Sequence, residues 1–241
     1  MRMRKKKNSA KRLVECAEFL YEHNSEQPMS DPASAMGMSG AQVFLEIGAG
    51  KGRFAAAMAE RHSEAAYFAM ERVTDCVVLA AELAASGEYG SLKNLRFMIK
   101  NADDLLHVFE RESISRIFLN FSDPWSKKGY AKRRLTHRRY LALYMNLLRD
   151  GGELCFKTDN SDLFDFSLEE IEALGIFPEV VTRDLHSSEW NDGNIRTEYE
   201  ENFSAQGIKI NMLRLKKPDG FMPEVAPEFI NKDFARGRDG K

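Results

Sequence analysis

From residue 43 to residue 215 the chain alternates between short β-like apolar runs and longer stretches with helical spacing. The pattern predicts strands over 43–47, 66–70, 95–99, 116–121 and 153–157. Helices are predicted after each of them, over 53–62, 73–86, 103–110, 135–149 and 163–174. In the first helix Phe54, Ala57 and Met58 recur at helical spacing. The fourth stops at Asp150-Gly151-Gly152 and the fifth at Gly175, because glycine enters the left-handed region that ends a helix without a Cβ penalty. Two more β-like runs, 177–182 and 208–215, close the domain. Five βα units in succession predict a parallel sheet with helices on both faces. Right-handed crossovers then gather the loops after the strands along one edge, where such sheets bind ligands.

Outside this unit the pattern weakens. Residues 9–24 read as a short amphipathic helix with Leu13, Ala17 and Leu20 on one side. Residues 25–40, rich in Ser, Pro, Gly and Met, read as a linker. Residues 217–241 carry five acids and five bases with little periodicity and read as a tail. The expected organisation is an arm, helix and linker over 1–40, one domain over 41–216, and a tail over 217–241.

Composition narrows the class. With 43% hydrophobic and 30% charged residues among 241, the chain has the balance of a globular domain. Its longest apolar runs are six residues (65–70 and 76–81, for example), against about twenty for a membrane span. Cys16, Cys76 and Cys155 are isolated and odd in number, which argues against a disulfide scaffold or a cysteine zinc site and suits a reducing cytoplasm. The five histidines are scattered, so no metal site is expected. The basic start is followed by acids rather than an apolar stretch, which argues against a secretory signal.

The net charge of −2 conceals a strong asymmetry. Residues 1–12 carry Arg2, Arg4, Lys5, Lys6, Lys7, Lys11 and Arg12 with no acid. Residues 126–139 carry Lys127, Lys128, Lys132, Arg133, Arg134, Arg138 and Arg139, again with no acid. These blocks hold 14 of the 35 basic residues, leaving 21 bases against 37 acids elsewhere. Cations concentrated in an otherwise acidic chain point to a polyanion site, the alternative for the first block being a solvated tail.

The loop after the first strand is Glu46-Ile47-Gly48-Ala49-Gly50-Lys51-Gly52. Arg53 stands where a dinucleotide fingerprint needs its third glycine, and no P-loop signature is present. Glycines here permit a sharp turn and close ligand approach. Glu46 disfavours a pyrophosphate and suits a ligand bearing an ammonium or sulfonium group. S-adenosylmethionine carries both. The alternative is a structural tight turn. Glu71, at the end of the second strand, has the spacing of an acid that binds ribose hydroxyls; alone it reads equally as a helix N-terminal acid. Asn101-Ala102-Asp103 offers a polar side chain and a backbone amide to an adenine edge, or else a helix N-cap. Asp123, after the fourth strand, falls at the switch point, followed by Pro124, Trp125 and the basic run; Trp125 alone reads best as a core residue.

Together, Leu45 through Gly52, Glu71-Arg72, Asn120 through Lys128, Lys132-Arg133-Arg134-Leu135, Phe156 through Asn160 and Thr197-Glu198-Tyr199-Glu200 resemble the bacterial tRNA (guanine-N7-)-methyltransferases over about residues 40–215. The resemblance implies a Rossmann-like class I methyltransferase fold: a mostly parallel seven-stranded sheet with an antiparallel last strand. It implies S-adenosylmethionine as methyl donor and N7 of a guanine in the tRNA variable loop, guanine(46), as acceptor. By it, Glu46, Glu71, Asn101 and Asp123 match cofactor positions, beside the turn glycines Gly48, Gly50 and Gly52 and the Ala102 amide. Lys127, Asp159 and Thr197, Glu198, Tyr199 and Glu200 match substrate positions, and Lys132, Arg133 and Arg134 are expected on tRNA phosphates. Ser126 stands where the family usually has proline, Gly129-Tyr130 where it has Arg-His, and Ala49 where it often has cysteine or threonine.

The chemistry suits these residues. Guanine N7 has a lone pair and no proton, so its methylation needs no general base, and positioning carries the catalysis. Asp123 is the expected catalytic residue, accepting from N1–H and the N2 amino group while offsetting the charge that develops on the purine; Asp159 is the alternative. The rivals are a methyltransferase acting on another RNA and a non-catalytic RNA-binding module with this fold. A nicotinamide-dependent oxidoreductase is disfavoured by Arg53 and Glu46.

Overall fold

The computed structural model describes residues 8–230. The first seven residues of the basic arm and residues 231–241 of the expected tail lie outside this range.

Seven strands form one sheet: β1 (Val43–Ile47), β2 (Ala66–Glu71), β3 (Leu95–Ile99), β4 (Ile114–Asn120), β5 (Leu148–Thr158), β6 (Val180–Thr182) and β7 (Asn211–Lys216), in the order 3-2-1-4-5-7-6. Strands β1 to β5 run parallel, and β7 is antiparallel to both β5 and β6. Alternation along β1 explains the layers: Val43, Leu45 and Ile47 enter one apolar cluster and Phe44 the other. The first cluster includes residues of α5 (Arg138–Leu147) and α6 (Ser161–Glu172), the second those of α2 (Arg53–Arg61) and α3 (Thr74–Ala85). The order reverses between β1 and β4, so the loops leaving their carboxyl ends flank the switch point.

Several expected boundaries move. The helix expected over 135–149 is α5 alone, with His137 Nδ1 accepting from the Arg139 N–H at its start. Residues 148–150 join β5 instead, because Leu148 pairs with Ile114 beyond a register shift. The helix expected over 103–110 is a 3₁₀ turn (Ala102–Asp104) followed by the one-turn α4 (Leu105–Val108). That expected over 9–24 is α1 (Ser9–Glu15) and a 3₁₀ turn, after which Leu20 bridges to Phe97.

The expected linker is packed rather than loose: Met29 bridges to Phe109, and Ala33 is fully buried. Residues 217–230, expected to trail away, place Lys217, Val225 and Phe229 in the interior. One further helix, α7 (Glu198–Ala205), was not expected at all.

Candidate active site

The site is assembled where β1, β2, β4 and β5 end. Glu46 on β1 is buried; its Oε1 accepts from Asn120 Nδ2 at the end of β4 (3.0 Å), and among the described residues its Oε2 has no partner in good hydrogen-bond geometry, the equally buried Tyr67 hydroxyl standing nearby. Burial pushes this carboxyl up to about 7, despite the Asn120 bond and the positive charge of Lys157. An orphaned carboxylate oxygen of this kind is a receptor for a cation or a donor.

The glycine turn follows. Gly48, Gly50 and Gly52 all have positive φ. A Cβ added at Gly48 or Gly50 would meet nothing within 4 Å, whereas one at Gly52 would lie 2.6 Å from Ala80 Cβ. The first two glycines therefore face open space, and Gly52 serves helix-to-strand packing rather than the cleft. Glu71 braces the turn: Oε2 accepts from the Gly50 N–H (3.1 Å) and Oε1 from the Val73 N–H (2.9 Å). Each oxygen keeps a second lone pair, so Glu71 can still take hydroxyl donors. On the next loop, Asn101 is exposed at the head of the 102–104 turn, its N–H donating to Asp104 Oδ2 (3.2 Å), while Ala102 is buried. This is capping-box geometry: the Asn101 side chain faces the Asp104 N–H, and its amide also lies 3.4 Å from Asp103.

Asp123 follows β4 by three residues, its side chain 72% exposed and 3.7 Å from Arg72, the residue after Glu71. Phe121 and Trp125 on either side have positive φ, a conformation sparse for bulky residues and found where surroundings over-determine the backbone. Arg134 supplies part of that constraint by donating to the carbonyls of Pro124 (2.9 Å) and Trp125 (3.2 Å). Arg134, expected on phosphate, is thus engaged in holding the Asp123 loop. Arg133 lies over the rings of Trp125 and Tyr130, and Trp125 is half-buried on this loop rather than in the core. Lys127, Lys128, Lys132 and Arg133 are exposed.

The stretch 197–200 divides. Thr197 caps α7, accepting from the Glu200 N–H (3.0 Å). Glu200 is fully buried: Oε2 accepts from Lys157 Nζ (2.6 Å), and Oε1 from Asn194 Nδ2 (2.6 Å) with His186 Nε2 at 2.8 Å. Glu200 is therefore placed to hold α7 down rather than to meet a substrate. Burial pushes the Glu200 carboxyl up, but Lys157, His186 and Asn194 outweigh it and hold the group below its ordinary pKa. Glu198 and Tyr199 do face outward. Glu198 pairs with Lys51 of the glycine turn (2.8 Å), and Tyr199, 60% exposed, stacks beside Phe121 and Phe203. Asp159 is half-buried between β5 and the Asn160 cap of α6.

The structure thus joins Glu46, the glycine turn, Glu71, Asp123 and the outer face of α7 through direct contacts. The Asn101 turn stands apart from these contacts, tied instead to α5. Sequence reasoning missed Asn120 as the partner of Glu46 and the Lys157–His186–Asn194 cluster around Glu200. A lysine directly after the apolar run Leu154–Phe156 was the one available signal; nothing near His186 gave any. Among the described residues no group of three or more His, Cys, Asp or Glu side chains could hold a metal.

Comparisons with known proteins fit this geometry. A family described as "Putative methyltransferase" matches residues 40–213. The chain is 42% identical over 170 residues to a tRNA (guanine-N(7)-)-methyltransferase of Halalkalibacterium halodurans, covering 70% of this chain and 76% of the relative. It is 43% identical over 176 residues to one from a Geobacillus species, covering 73% and 78%. Among solved structures, the 16S rRNA methyltransferase KamB shares the fold with a TM-score of 0.58 at 10% identity, over 79% of this chain and 95% of that one.

Proposed function

Because the chain belongs to the tRNA (guanine-N7-)-methyltransferase family, we propose that it methylates N7 of a guanine in tRNA from S-adenosylmethionine, with guanine(46) of the variable loop as the target. The observation that carries the reading is topological. The open glycine turn leaves β1 and the acid-free basic segment leaves β4, so neighbouring strands present a nucleoside cradle and a polyanion surface at one edge.

The residues present fit the donor. The unpartnered Glu46 Oε2 suits its ammonium group, Glu71 its ribose hydroxyls, and the Ala102 amide its adenine edge. When bound, the donor supplies an electrophilic methyl on a sulfonium. Asn120 holds Glu46 Oε1 and so leaves Oε2 to the ligand. Asp123, exposed on a constrained loop, accepts from the Watson–Crick edge of the guanine and offsets the positive charge its ring acquires. No side chain needs to remove a proton, because N7 bears none. Lys127, Lys128, Lys132 and Arg133 neutralise phosphates, and the chain works in the cytoplasm, where its substrate is.

Asp123→Asn keeps the size of the side chain, removes the charge and presents a donor to guanine's own donors. Single-turnover methyl transfer to unmodified tRNA should fall about 10²–10³-fold. Equilibrium tRNA binding, dominated by phosphate contacts, should change little. Transfer at the wild-type rate would remove Asp123 from the chemistry and move the role to Asp159.

A further inference from the structure

The family match ends at residue 213, yet the chain beyond β7 stays packed, with Lys217, Val225 and Phe229 buried. Lys217, fully buried, donates to the Leu148 carbonyl and pairs with Glu112, both at 2.9 Å. Farther on, Phe229 is also fully buried, its ring 5.1 Å from that of Tyr140. Glu228 accepts from Arg139 Nη1 (3.0 Å), and the Arg139 guanidinium lies over the rings of both Tyr140 and Phe229.

Both residues of α5 then touch one carboxylate. The Tyr140 hydroxyl donates to Asp103 Oδ1 (2.6 Å), and Arg139 Nη2 lies 3.8 Å from the same oxygen. Burial and the Asp103 carboxylate push the Tyr140 phenol up, so it remains a donor. Asp103 is the middle residue of the 102–104 turn, and its hydrogen bond and ion pair beyond its own loop run to α5. Its position is set from α5, and α5 at that point is set by Glu228 and Phe229.

We infer that the C-terminal segment is a positioning element of the donor site: Glu228 and Phe229 fix Arg139 and Tyr140, which fix Asp103 and the turn that presents Asn101 and Ala102. The inference rests on the proposed role of that turn in holding the adenine end of S-adenosylmethionine. A merely structural segment would lower thermal stability and leave the balance between the two substrates untouched. A positioning segment acts on one substrate.

The test is calorimetric binding of S-adenosylmethionine and of tRNA to the full chain carrying Glu228→Gln, Tyr140→Phe or both, with Glu71→Ala as the control and thermal unfolding in parallel. Each single variant should weaken S-adenosylmethionine binding about three- to tenfold, with tRNA affinity and unfolding temperature close to wild type. The double variant should weaken donor binding beyond either single variant, since Arg139 and Tyr140 hold the same Asp103 oxygen by separate contacts. Wild-type donor affinity in both single variants, with Glu71→Ala impaired, would overturn the inference and leave the donor site standing. Failure of the wild-type chain to bind S-adenosylmethionine would overturn the donor site itself, and the inference with it.

Discussion

Glu46 is the residue on which pH acts most clearly. Its carboxyl is raised from an ordinary 4.5 to about 7 by burial. Below the ordinary value, folded and unfolded chains both hold the proton. As pH rises through the window between the two, the unfolded chain ionises first, so the ligand-free protein loses stability and levels off above about 7. The full cost is on the order of 3 kcal/mol. Glu46→Gln should therefore flatten this part of the denaturation profile and stabilise the ligand-free protein at about pH 8, while abolishing donor binding. Because a cationic ligand needs the carboxylate, its affinity should rise with pH toward neutrality. Calorimetry in buffers of different ionisation enthalpy should detect the proton released. The glycines separate in a second way. Gly52→Ala meets Ala80 as well as an unfavourable φ and should cost about 2–4 kcal/mol of stability. Gly50→Ala meets only the φ cost, about 1–2 kcal/mol, and should instead impair donor binding. Thermal unfolding and titration of the two variants distinguish the cases.

Among the elements, α7 depends on a charge it buries. Glu200 and Lys157 compensate each other away from water, so Glu200→Ala leaves a buried lysine without its counter-charge and should cost about 3–5 kcal/mol in denaturant unfolding. Tyr199→Ala, on the outer face of the same helix, should leave stability nearly unchanged and weaken tRNA methylation. The contrast shows what the sequence could carry. Strands such as Val43–Ile47 and Leu95–Ile99 were legible to the residue, since their apolar runs match a sheet covered on both faces. The helix Glu198–Ala205 was not, because EYEENFSA has no apolar stripe and is held by an ion pair with a residue over forty positions away. Its capping box, Thr197 with Glu200, was the local clue, and the family resemblance assigned those residues to substrate instead. Residues 217–230 were illegible for a related reason: a few separated anchors, Lys217, Val225 and Phe229, hold them without any periodicity. The placement of Glu46, Glu71 and Asp123 at one sheet edge was legible because they stand at or just beyond strand ends, where topology alone brings side chains together.

At the scale of the whole molecule, charge is sorted by what pairs with it. Arg138 is held by Glu170, Arg139 by Glu228, and Arg134 by the Asp123 loop. Lys127, Lys128, Lys132 and Arg133 remain exposed on the same segment. Replacing those four with alanine should weaken tRNA binding and lower the slope of log affinity against log salt by about 3, leaving donor affinity unchanged. Arg138→Ala should lower stability, since it strips a partner from a buried Glu170, and alter the salt slope little. An unchanged slope in the fourfold variant would make the segment a solvated face. The central claim, that one sheet edge joins a donor cradle to a tRNA surface so that guanine N7 is methylated, has one most direct measurement. Unmodified tRNA is incubated with the protein and labelled S-adenosylmethionine, then cleaved chemically at 7-methylguanine and sequenced. The account predicts label confined to tRNA and a single scission at guanine(46) of the variable loop; label on another base or another atom, or none at all, would contradict it.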